Sequence, residues 1–231
     1  KDAEVSIVEE LLKFFESGEL YLGFKPVMWS VIEKTALAEA EVEYKEKVSS
    51  SIFVKFPIRN FDEKTSIIIW TTTPWTIPCN RAIAYSKNLE YQKIILLEDY
   101  LNLNLEKNEA IVIASTLTKD FLSKHEIKKY KIINSIKQNE LKNFVCFHPL
   151  KKLGFEFDVK LFPSEHVTDE TGSGFVHIAP NHGLEDFDVG LKYELGNLET
   201  VNSDGKYTSN VPYFEGLHIF KVDKELIEKL N

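Results

Sequence analysis

The segment Ile67–Thr76 constrains the fold most, because an apolar run of three isoleucines and a tryptophan ends there in Thr-Thr-Thr-Pro. Such a run favours a β-strand, and a proline after Thr73 is typical of a helix that begins at Pro74 with Thr73 as its N-cap. The chain is therefore predicted to turn sharply beside unpaired backbone amides, where four hydroxyls collect (Thr71, Thr72, Thr73 and Thr76). This cluster can bind a water, an ester carbonyl or a ribose hydroxyl. The alternative is a threonine-rich strand end without a ligand, since threonine itself favours strands.

A second segment, Gly172–Phe187, has the pattern of a turn, a strand, a loop and the start of a helix. A period of two places His177 on the same strand face as Phe175 and Ala179. A proline and a glycine end the strand, and Asp186 is predicted to lie in the first turn of the next helix, where the helix dipole favours a carboxylate. His177 and Asp186 can therefore line one cavity. Taken singly, His177 can also be a hydrogen-bonded core histidine, and Asp186 a carboxylate that only stabilises the helix.

Together these segments resemble the editing domain inserted into class I aminoacyl-tRNA synthetases. The sequence WTTTPWT, from Trp70 to Thr76, is similar to the isoleucyl form, since the related leucyl and valyl enzymes have an arginine at the position of Thr73. The sequence HIAPNHGLEDF, from His177 to Phe187, is similar to the second editing motif. One departure is Cys79, where the family usually has alanine or serine, and we interpret it as a small apolar substitute. Three further segments resemble the start and end of the insertion in bacterial-type enzymes: Lys25–Ser30, Thr35–Tyr44 and Phe214–Phe220.

The resemblance implies an enzyme: an isoleucine–tRNA ligase fragment with aminoacyl-tRNA deacylase activity. It would hydrolyse the ester that joins valine to the terminal adenosine of isoleucine tRNA, and it would exclude isoleucine. A single pocket discriminates a missing methylene only weakly, as isoleucyl enzymes themselves illustrate, so a second sieving pocket is needed. The expected partners are the acceptor end of this tRNA carrying valine and the catalytic domain of the same host chain. Editing is expected to need no cofactor or metal, whereas ATP and Mg²⁺ would serve only the synthetic domain, whose motifs are absent here.

The chemistry of the ester suggests a role for each candidate residue. Asp186 would bind the free α-ammonium of the aminoacyl group, and His177 would be the steric stop that excludes isoleucine. The threonines would hold the terminal adenosine, the ester and the attacking water. Trp70 and Trp75 would either stack on adenine or belong to the core. Catalytic roles are thus expected for Thr71, Thr72, Thr73 and Asp186, and substrate-binding roles for Trp70, Trp75, Thr76, His177 and Asp186.

Composition excludes several other classes of protein. The net charge of −8 argues against a general nucleic-acid binder. Residues 119–142 depart from this, with seven lysines against three acidic residues, and they form either a solvated face or a phosphate contact. No apolar run reaches 18 residues, so neither a membrane span nor a membrane partner is expected. Two cysteines make no disulfide framework and indicate a cytoplasmic protein.

The predicted fold class is mainly β with peripheral α-helices. Apolar residues recur at helical spacing over residues 4–17 and 222–230, and a short helix is predicted over 118–125. Many strands with alternating faces indicate a closed or nearly closed β-barrel, which leaves no exposed edge, and the resemblance implies the same. The predicted strands are Val42–Val48, Ile52–Ile58, Thr65–Thr71, Ala82–Ser86, Tyr91–Leu97, Ala110–Ala114, Tyr130–Ile133, Phe144–Phe147 and Gly174–Ala179.

The predicted organisation is one editing domain over residues 1–231, as a fragment of a longer protein. Its first residue is Lys1, and its only methionine is Met28. Residues 1–40 and 215–231 would lead towards the host catalytic domain, and residues from about 41 to 214 would form the barrel.

Two rival functions remain open at the level of sequence. In the first, His177, His182 and Asp186 bind a catalytic zinc with one open position, although their spacing matches no HExxH pattern. In the second, the domain is a non-catalytic tRNA-docking module or spacer. Resistance to a chelator tests the first rival, and a deacylation assay tests the second.

Overall fold

The computed structural model describes residues 2–46, 48–61 and 64–230, and most of its regular structure is β. The strands are β1 (Trp29–Ser30), β2 (Thr35–Ala36), β3 (Ile52–Pro57), β4 (Thr65–Thr71), β5 (Ala82–Tyr85), β6 (Tyr91–Leu96), β7 (Ala110–Ala114), β8 (Tyr130–Ile136), β9 (Val145–Phe147), β10 (Asp158–Pro163) and β11 (Phe175–Ile178). The α-helices are α1 (Asp2–Glu16), α2 (Thr118–Lys124), α3 (Gln138–Leu141), α4 (Leu184–Lys192) and α5 (Asp223–Leu230). Short 3-10 helices occur at Glu39–Glu41, Pro74–Cys79, Leu101–Leu103, Lys151–Leu153 and Ile219–Lys221.

The largest sheet has five strands in the order β3-β4-β7-β6-β8. β4 and β7 are parallel, and the other neighbours are antiparallel. Every residue of β7 is buried, as is β4 from Thr65 to Ile69. A strand that is buried on both faces needs a continuous apolar run rather than alternation. The isoleucine run before Thr71 therefore lies inside the sheet, and the threonines emerge at its end.

A second sheet has four strands in the order β11-β5-β10-β9. β11 lies at its edge and pairs antiparallel with β5. Phe175 and Ala179 pack into the main core, whereas Ile178 packs with Val189 of α4 in a smaller cluster. The predicted period of two in this strand is confirmed, and the two faces of β11 contact two different cores.

The predicted closed barrel is wrong for the part of the chain that the structure describes. The two large sheets are separate, and β1 with β2 forms a third. Single backbone contacts join the large sheets, such as the bridge between Ile58 and Cys146 and the hydrogen bond from Ala114 N–H to the Ser173 carbonyl. A barrel requires every strand edge to pair. Pro57 ends β3 and has no N–H for a continuing ladder, and every residue of β8 except Ile136 is exposed.

The other strand predictions agree with the structure to within three residues, except at Val42–Val48. There, residues 42–46 and 48 belong to no strand, and residue 47 lies outside the described residues. The described residues of this segment are mostly exposed and have no partner strand, so alternation alone does not make it a strand. β1, β2 and β10 were not predicted, although in β10 Asp158 and Lys160 are exposed where Val159 and Leu161 are buried.

The helices predicted over residues 4–17, 118–125 and 222–230 are confirmed as α1, α2 and α5. α1 contains no buried residue, although Val8, Leu11 and Phe15 give it an apolar face. Among the described residues, no helix is both long enough and apolar enough to cross a bilayer.

Candidate active site

The threonine segment makes a turn that its own side chains stabilise. β4 ends at Thr71, and the helix that begins at Pro74 is of the 3-10 type, with Thr73 at the N-cap position. The Thr73 side chain makes no capping hydrogen bond. Instead, the Thr71 hydroxyl accepts a hydrogen bond from the Thr73 N–H at 3.0 Å, and the Thr76 hydroxyl donates to the Thr73 carbonyl at 2.8 Å. The predicted turn is therefore confirmed, but the side-chain cap is not formed.

These contacts divide the four threonines into two pairs. Thr71 and Thr76 are buried, with 8% and 5% of their surfaces exposed, and their hydroxyls hold the turn. Thr72 is exposed and Thr73 is half-buried. A ligand can therefore reach Thr72 and Thr73 without breaking the internal hydrogen bonds of the turn.

His177 of β11 connects this turn to the second segment. Its Nε2 lies 2.9 Å from the Thr76 hydroxyl, across 101 positions of sequence. Because Thr76 has one hydroxyl proton and donates it to the Thr73 carbonyl, His177 donates from Nε2. Its Nδ1 is then a buried acceptor for which the described residues provide no hydrogen bond. Burial, followed by the neighbouring His182, lowers the pKa of His177 to about 4, so the ring is neutral at pH 7.

Asp186 lies in the first turn of α4, as predicted. Its Oδ2 accepts a hydrogen bond from the Ala179 N–H at 2.8 Å, which closes the corner between β11 and α4. Burial raises the pKa of this carboxyl to about 6; the hydrogen bond from Ala179 opposes the shift, and the charge of Glu185 adds to it. The carboxylate is therefore desolvated, and its charged neighbour has the same sign. A cationic ligand group would be attracted here.

Both tryptophans of the first segment make packing contacts. Trp70 donates from Nε1 to the Ser51 hydroxyl at 2.8 Å. Gly172, with φ +87°, lies so close to Trp70 that a Cβ there would be 3.2 Å from the indole. The ring of Trp75 meets the ring of His182 edge-on at 5.0 Å. Both indoles are half-buried, so packing accounts for part of each ring.

Three residues that support the site were not assigned this role from the sequence. His182 contacts the Thr200 hydroxyl through Nε2 at 2.8 Å, and the Tyr207 hydroxyl donates to the Trp75 carbonyl at 2.6 Å. In the sequence, His182 is a candidate zinc ligand, and Thr200 and Tyr207 belong to neither segment of the candidate site. Tyr207 is 132 positions from Trp75, and neither Tyr207 nor Thr200 belongs to a local motif. No pattern in the sequence indicates these contacts.

The structure also tests whether Cys79 is a reactive thiol and whether the candidate zinc ligands lie close together. Cys79 is 2% exposed, and burial raises the pKa of its thiol to about 12. A thiol that stays protonated is a poor nucleophile, in agreement with its interpretation as a small apolar substitute. Across residues 2–46, 48–61 and 64–230, no three His, Cys, Asp or Glu side chains lie close enough together to hold a metal ion. His177, His182 and Asp186 therefore do not form a ligand set.

Buried histidines predict a loss of stability in acid. Burial lowers the pKa of His148 to about 3 and those of His177 and His182 to about 4, below the ordinary value of 6.5. The unfolded chain then binds more protons between pH 6.5 and 4, so the free energy of unfolding falls as the pH falls through this window. Asp186 acts in the opposite direction between pH 6 and 3.8, because its folded pKa is the higher one. Near pH 5 the unfolded chain binds about three more protons at these histidines, and the folded chain binds about one more at Asp186. This net difference of about two protons makes the free energy of unfolding fall by about 3 kcal/mol for each unit by which the pH falls.

Urea unfolding measured at intervals from pH 7 to pH 4.5 tests this prediction. The control is His148→Gln, which cannot be protonated and keeps a side-chain N–H for the Ile77 carbonyl that His148 Nε2 contacts at 3.1 Å. This variant is expected to show a slope lower by about 1.4 kcal/mol per pH unit. A free energy of unfolding that stays level down to pH 5 would contradict the prediction.

Comparison with known proteins identifies the family. The profile of the tRNA synthetases class I (I, L, M and V) matches residues 1–204. The chain belongs to this family.

Within the family, the chain is similar to isoleucine–tRNA ligases. It is 48% identical to that of Pelagibacter ubique over 100% of this chain and 25% of the relative, and 41% identical to that of Gluconobacter oxydans over 99% and 24%. The isoleucine–tRNA ligase of Agrobacterium fabrum is 43% identical over 92% of this chain and 23% of the relative. The chain thus spans about a quarter of the length of these curated relatives.

Solved structures show the same fold at low identity. The structure named "The crystal structure of GlLeuRS-CP1" has a TM-score of 0.58 and 12% identity, over 78% of this chain and 95% of that chain. The Plasmodium knowlesi cytosolic leucyl-tRNA synthetase editing domain has a TM-score of 0.53 and 10% identity, over 77% and 91%. The resemblance to editing domains is confirmed, and at these identities the comparison concerns the fold alone.

Proposed function

We propose that this chain is the editing domain of an isoleucyl-tRNA synthetase and that it hydrolyses the ester of valyl-tRNA(Ile). The observation that carries the proposal is the meeting of the two segments through the 2.9 Å contact between Thr76 and His177, next to the corner closed by Asp186. The similarity to isoleucine–tRNA ligases supports the choice of tRNA. Valine is proposed because it is the smaller analogue that an isoleucine pocket rejects only weakly.

In the proposed reaction, Asp186 binds the α-ammonium of the valyl group. Among the described residues, the charged group that shifts the pKa of Asp186 is the acidic Glu185, so this desolvated carboxylate gains a charge-assisted hydrogen bond when the ammonium enters. The same contact orients the ester carbonyl towards the strand end. Since the pKa of Asp186 is about 6, the carboxylate is ionised at pH 7, and the pair can form there.

A water molecule held at the threonine segment then attacks the ester carbonyl carbon. A bond forms between the water oxygen and this carbon, the bond from the carbon to the ribose oxygen breaks, and a proton passes to the ribose oxygen. Valine and tRNA with a free ribose hydroxyl are released. Thr72 and Thr73, whose side chains are exposed or half-buried, hold the water and the terminal adenosine. An aminoacyl ester is activated, so orientation next to hydrogen-bond donors suffices without a catalytic triad.

His177 forms the wall of the proposed sieve. It is 7% exposed, neutral at pH 7 and held by Thr76, so it is a rigid and uncharged boundary. A rigid wall can exclude one extra methylene because overpacking a fixed site is destabilising.

The host enzyme is proposed to provide the other partners. The exposed apolar face of α1 would pack against the catalytic domain, which would bind ATP and Mg²⁺ and the body of the tRNA. The protein is proposed to act in the cytoplasm, where two free and buried cysteines stay reduced.

Incubation with valyl-tRNA(Ile) and isoleucyl-tRNA(Ile) tests the proposal directly. We expect valine to be released much faster than isoleucine, by a full-length isoleucine–tRNA ligase that carries these residues and, if it binds tRNA, by the 231-residue chain. Valine release at the uncatalysed rate would overturn the proposal and favour the non-catalytic docking module.

Hydrolysis is expected to survive metal removal. The proposed water is oriented by threonine hydroxyls and backbone amides, and the described residues contain no metal-ligand cluster. In the 231-residue chain, the deacylation rate should change less than twofold after incubation with EDTA and gel filtration. A rate that falls with EDTA and returns with Zn²⁺ would instead favour the zinc hydrolase.

A further inference from the structure

His182 occupies the loop between β11 and α4 and contacts two other parts of the chain. Its Nε2 lies 2.8 Å from the Thr200 hydroxyl, and its ring meets the Trp75 ring edge-on at 5.0 Å. Its backbone N–H donates to the Ala179 carbonyl at 2.9 Å. The His182 side chain thus connects the β11–α4 loop to Trp75 in the threonine segment and to Thr200.

The same loop determines where Asp186 lies. Ala179 forms a hydrogen bond at each of its backbone groups: its carbonyl accepts from His182, and its N–H donates to Asp186 at 2.8 Å. A shift of His182 therefore moves the group that holds the carboxylate. Thr200 is 3% exposed, and its carbonyl accepts from the Thr208 N–H at 3.1 Å, so the anchor for His182 is itself fixed.

We infer that His182 and Thr200 form a positioning pair for the reaction: they hold the β11–α4 loop against Trp75 so that Asp186 faces the ester at the threonine segment. This inference rests on the proposed deacylation. In the proposed reaction neither residue binds the substrate, and the pair acts on the orientation of bound valyl-tRNA. Small displacements of a positioning group have large effects on rate, because the reacting atoms must stay within a narrow range of geometry.

Thr200→Val is the variant that breaks the pair, and it also removes the side-chain hydrogen bond between Thr200 and Cys79. Valine has nearly the same shape as threonine, so the change removes the hydroxyl without opening a cavity. Thr200→Ser keeps the hydroxyl and should restore activity. Thr208→Val is the matched control, because Thr208 lies in the same segment but donates its hydroxyl proton to the Glu199 carbonyl at 2.7 Å, away from His182.

The expected result in a full-length isoleucine–tRNA ligase carrying these residues is a drop of about 10-fold in kcat for valyl-tRNA(Ile) deacylation with Thr200→Val. KM should change less than twofold, since the phosphate and base contacts of the tRNA are untouched. Thr200→Ser and Thr208→Val should stay within twofold of the unsubstituted enzyme in both constants. Thr200→Val with an unchanged kcat, or an equal loss in Thr208→Val, would overturn the inference.

The pH profile of kcat/KM separates positioning from a general loss of stability. Asp186 is faced by Glu185 from its own helix and by the Ala179 N–H from the end of β11. The acid limb of the kcat/KM profile, which reports the ionisation of Asp186, is expected near pH 6 in the unsubstituted enzyme. A loosened loop admits water, so the pKa of Asp186 falls towards its ordinary value and the limb moves to lower pH in Thr200→Val alone. A lower rate with an unmoved limb would indicate a merely structural role.

Different results would overturn the proposed deacylation and the proposed positioning pair. No release of valine by the unsubstituted enzyme overturns both the deacylation and the positioning pair. Normal release by the unsubstituted enzyme and by Thr200→Val overturns the positioning pair alone.

Discussion

Replacing Asp186 by asparagine or alanine is expected to reduce valyl-tRNA(Ile) deacylation by roughly 30- to 5,000-fold, because it removes one partner of a desolvated charge pair, a change that costs about 2–5 kcal/mol. Asparagine retains an oxygen that can accept from the Ala179 N–H, so the β11–α4 corner stays closed. Only the charge that binds the α-ammonium is lost. The measurement is the single-turnover rate of valine release at pH 7.5.

The same substitution is expected to stabilise the fold, which excludes unfolding as the cause of the lost activity. Burial raises the pKa of Asp186 from 3.8 to about 6, so the ionised carboxylate destabilises the folded state at pH 7. Relief of this cost in Asp186→Asn should raise the free energy of unfolding by about 1–3 kcal/mol, since one pKa unit corresponds to about 1.4 kcal/mol. The effect should fade as the pH falls from about 6 to 3.8 and vanish at lower pH, where the carboxyl is protonated in both states.

A change in the substrate provides the complementary test. N-acetylated valyl-tRNA(Ile) has no α-ammonium, so it should be as poor a substrate for the unsubstituted enzyme as valyl-tRNA(Ile) is for Asp186→Asn. The acetylated substrate should show no further loss with the variant, because the pair is already absent. Equal rates for acetylated and free substrate would mean that Asp186 does not bind the ammonium.

His177→Ala is expected to let the domain hydrolyse correctly charged isoleucyl-tRNA(Ile). Removing the imidazole opens the space that the extra methylene of isoleucine needs, where overpacking costs about 1–3 kcal/mol. The ratio of valyl to isoleucyl deacylation rates should therefore fall by roughly 5- to 150-fold. Valyl hydrolysis should persist, because the Asp186 corner is unchanged and Thr76 still donates to the Thr73 carbonyl.

His177→Gln is the matched variant for this test. Its side-chain amide can donate to Thr76 as the His177 Nε2 does, and it fills much of the same volume. It should therefore exclude isoleucine better than alanine does. A ratio that is the same in the unsubstituted protein and in His177→Ala would show that another wall excludes isoleucine and that His177 is a core histidine.

Predictions from the sequence succeeded where a feature depends on neighbouring residues. The end of β4 at Thr71, the first turn of α4 at Asp186 and the alternation of β11 were all predicted, and each follows from local sterics, helix-terminus electrostatics or the period of a strand. The prediction of a barrel was wrong, because alternation indicates strands but does not determine whether their edges meet. A strand at Val42–Val48 was wrong for the same reason, since the described part of that segment has no partner strand.

By itself, the sequence determined the family, the two segments of the candidate site and the local turns that present their side chains. Only the tertiary structure decided that His177 meets Thr76 across 101 positions and that His182 is held by Thr200. It also decided that Asp186 is desolvated enough for its pKa to rise to about 6. The physical reason is that these properties come from packing between distant segments: burial sets the pKa of a carboxyl through the water it excludes, and no local pattern records which segments will exclude that water.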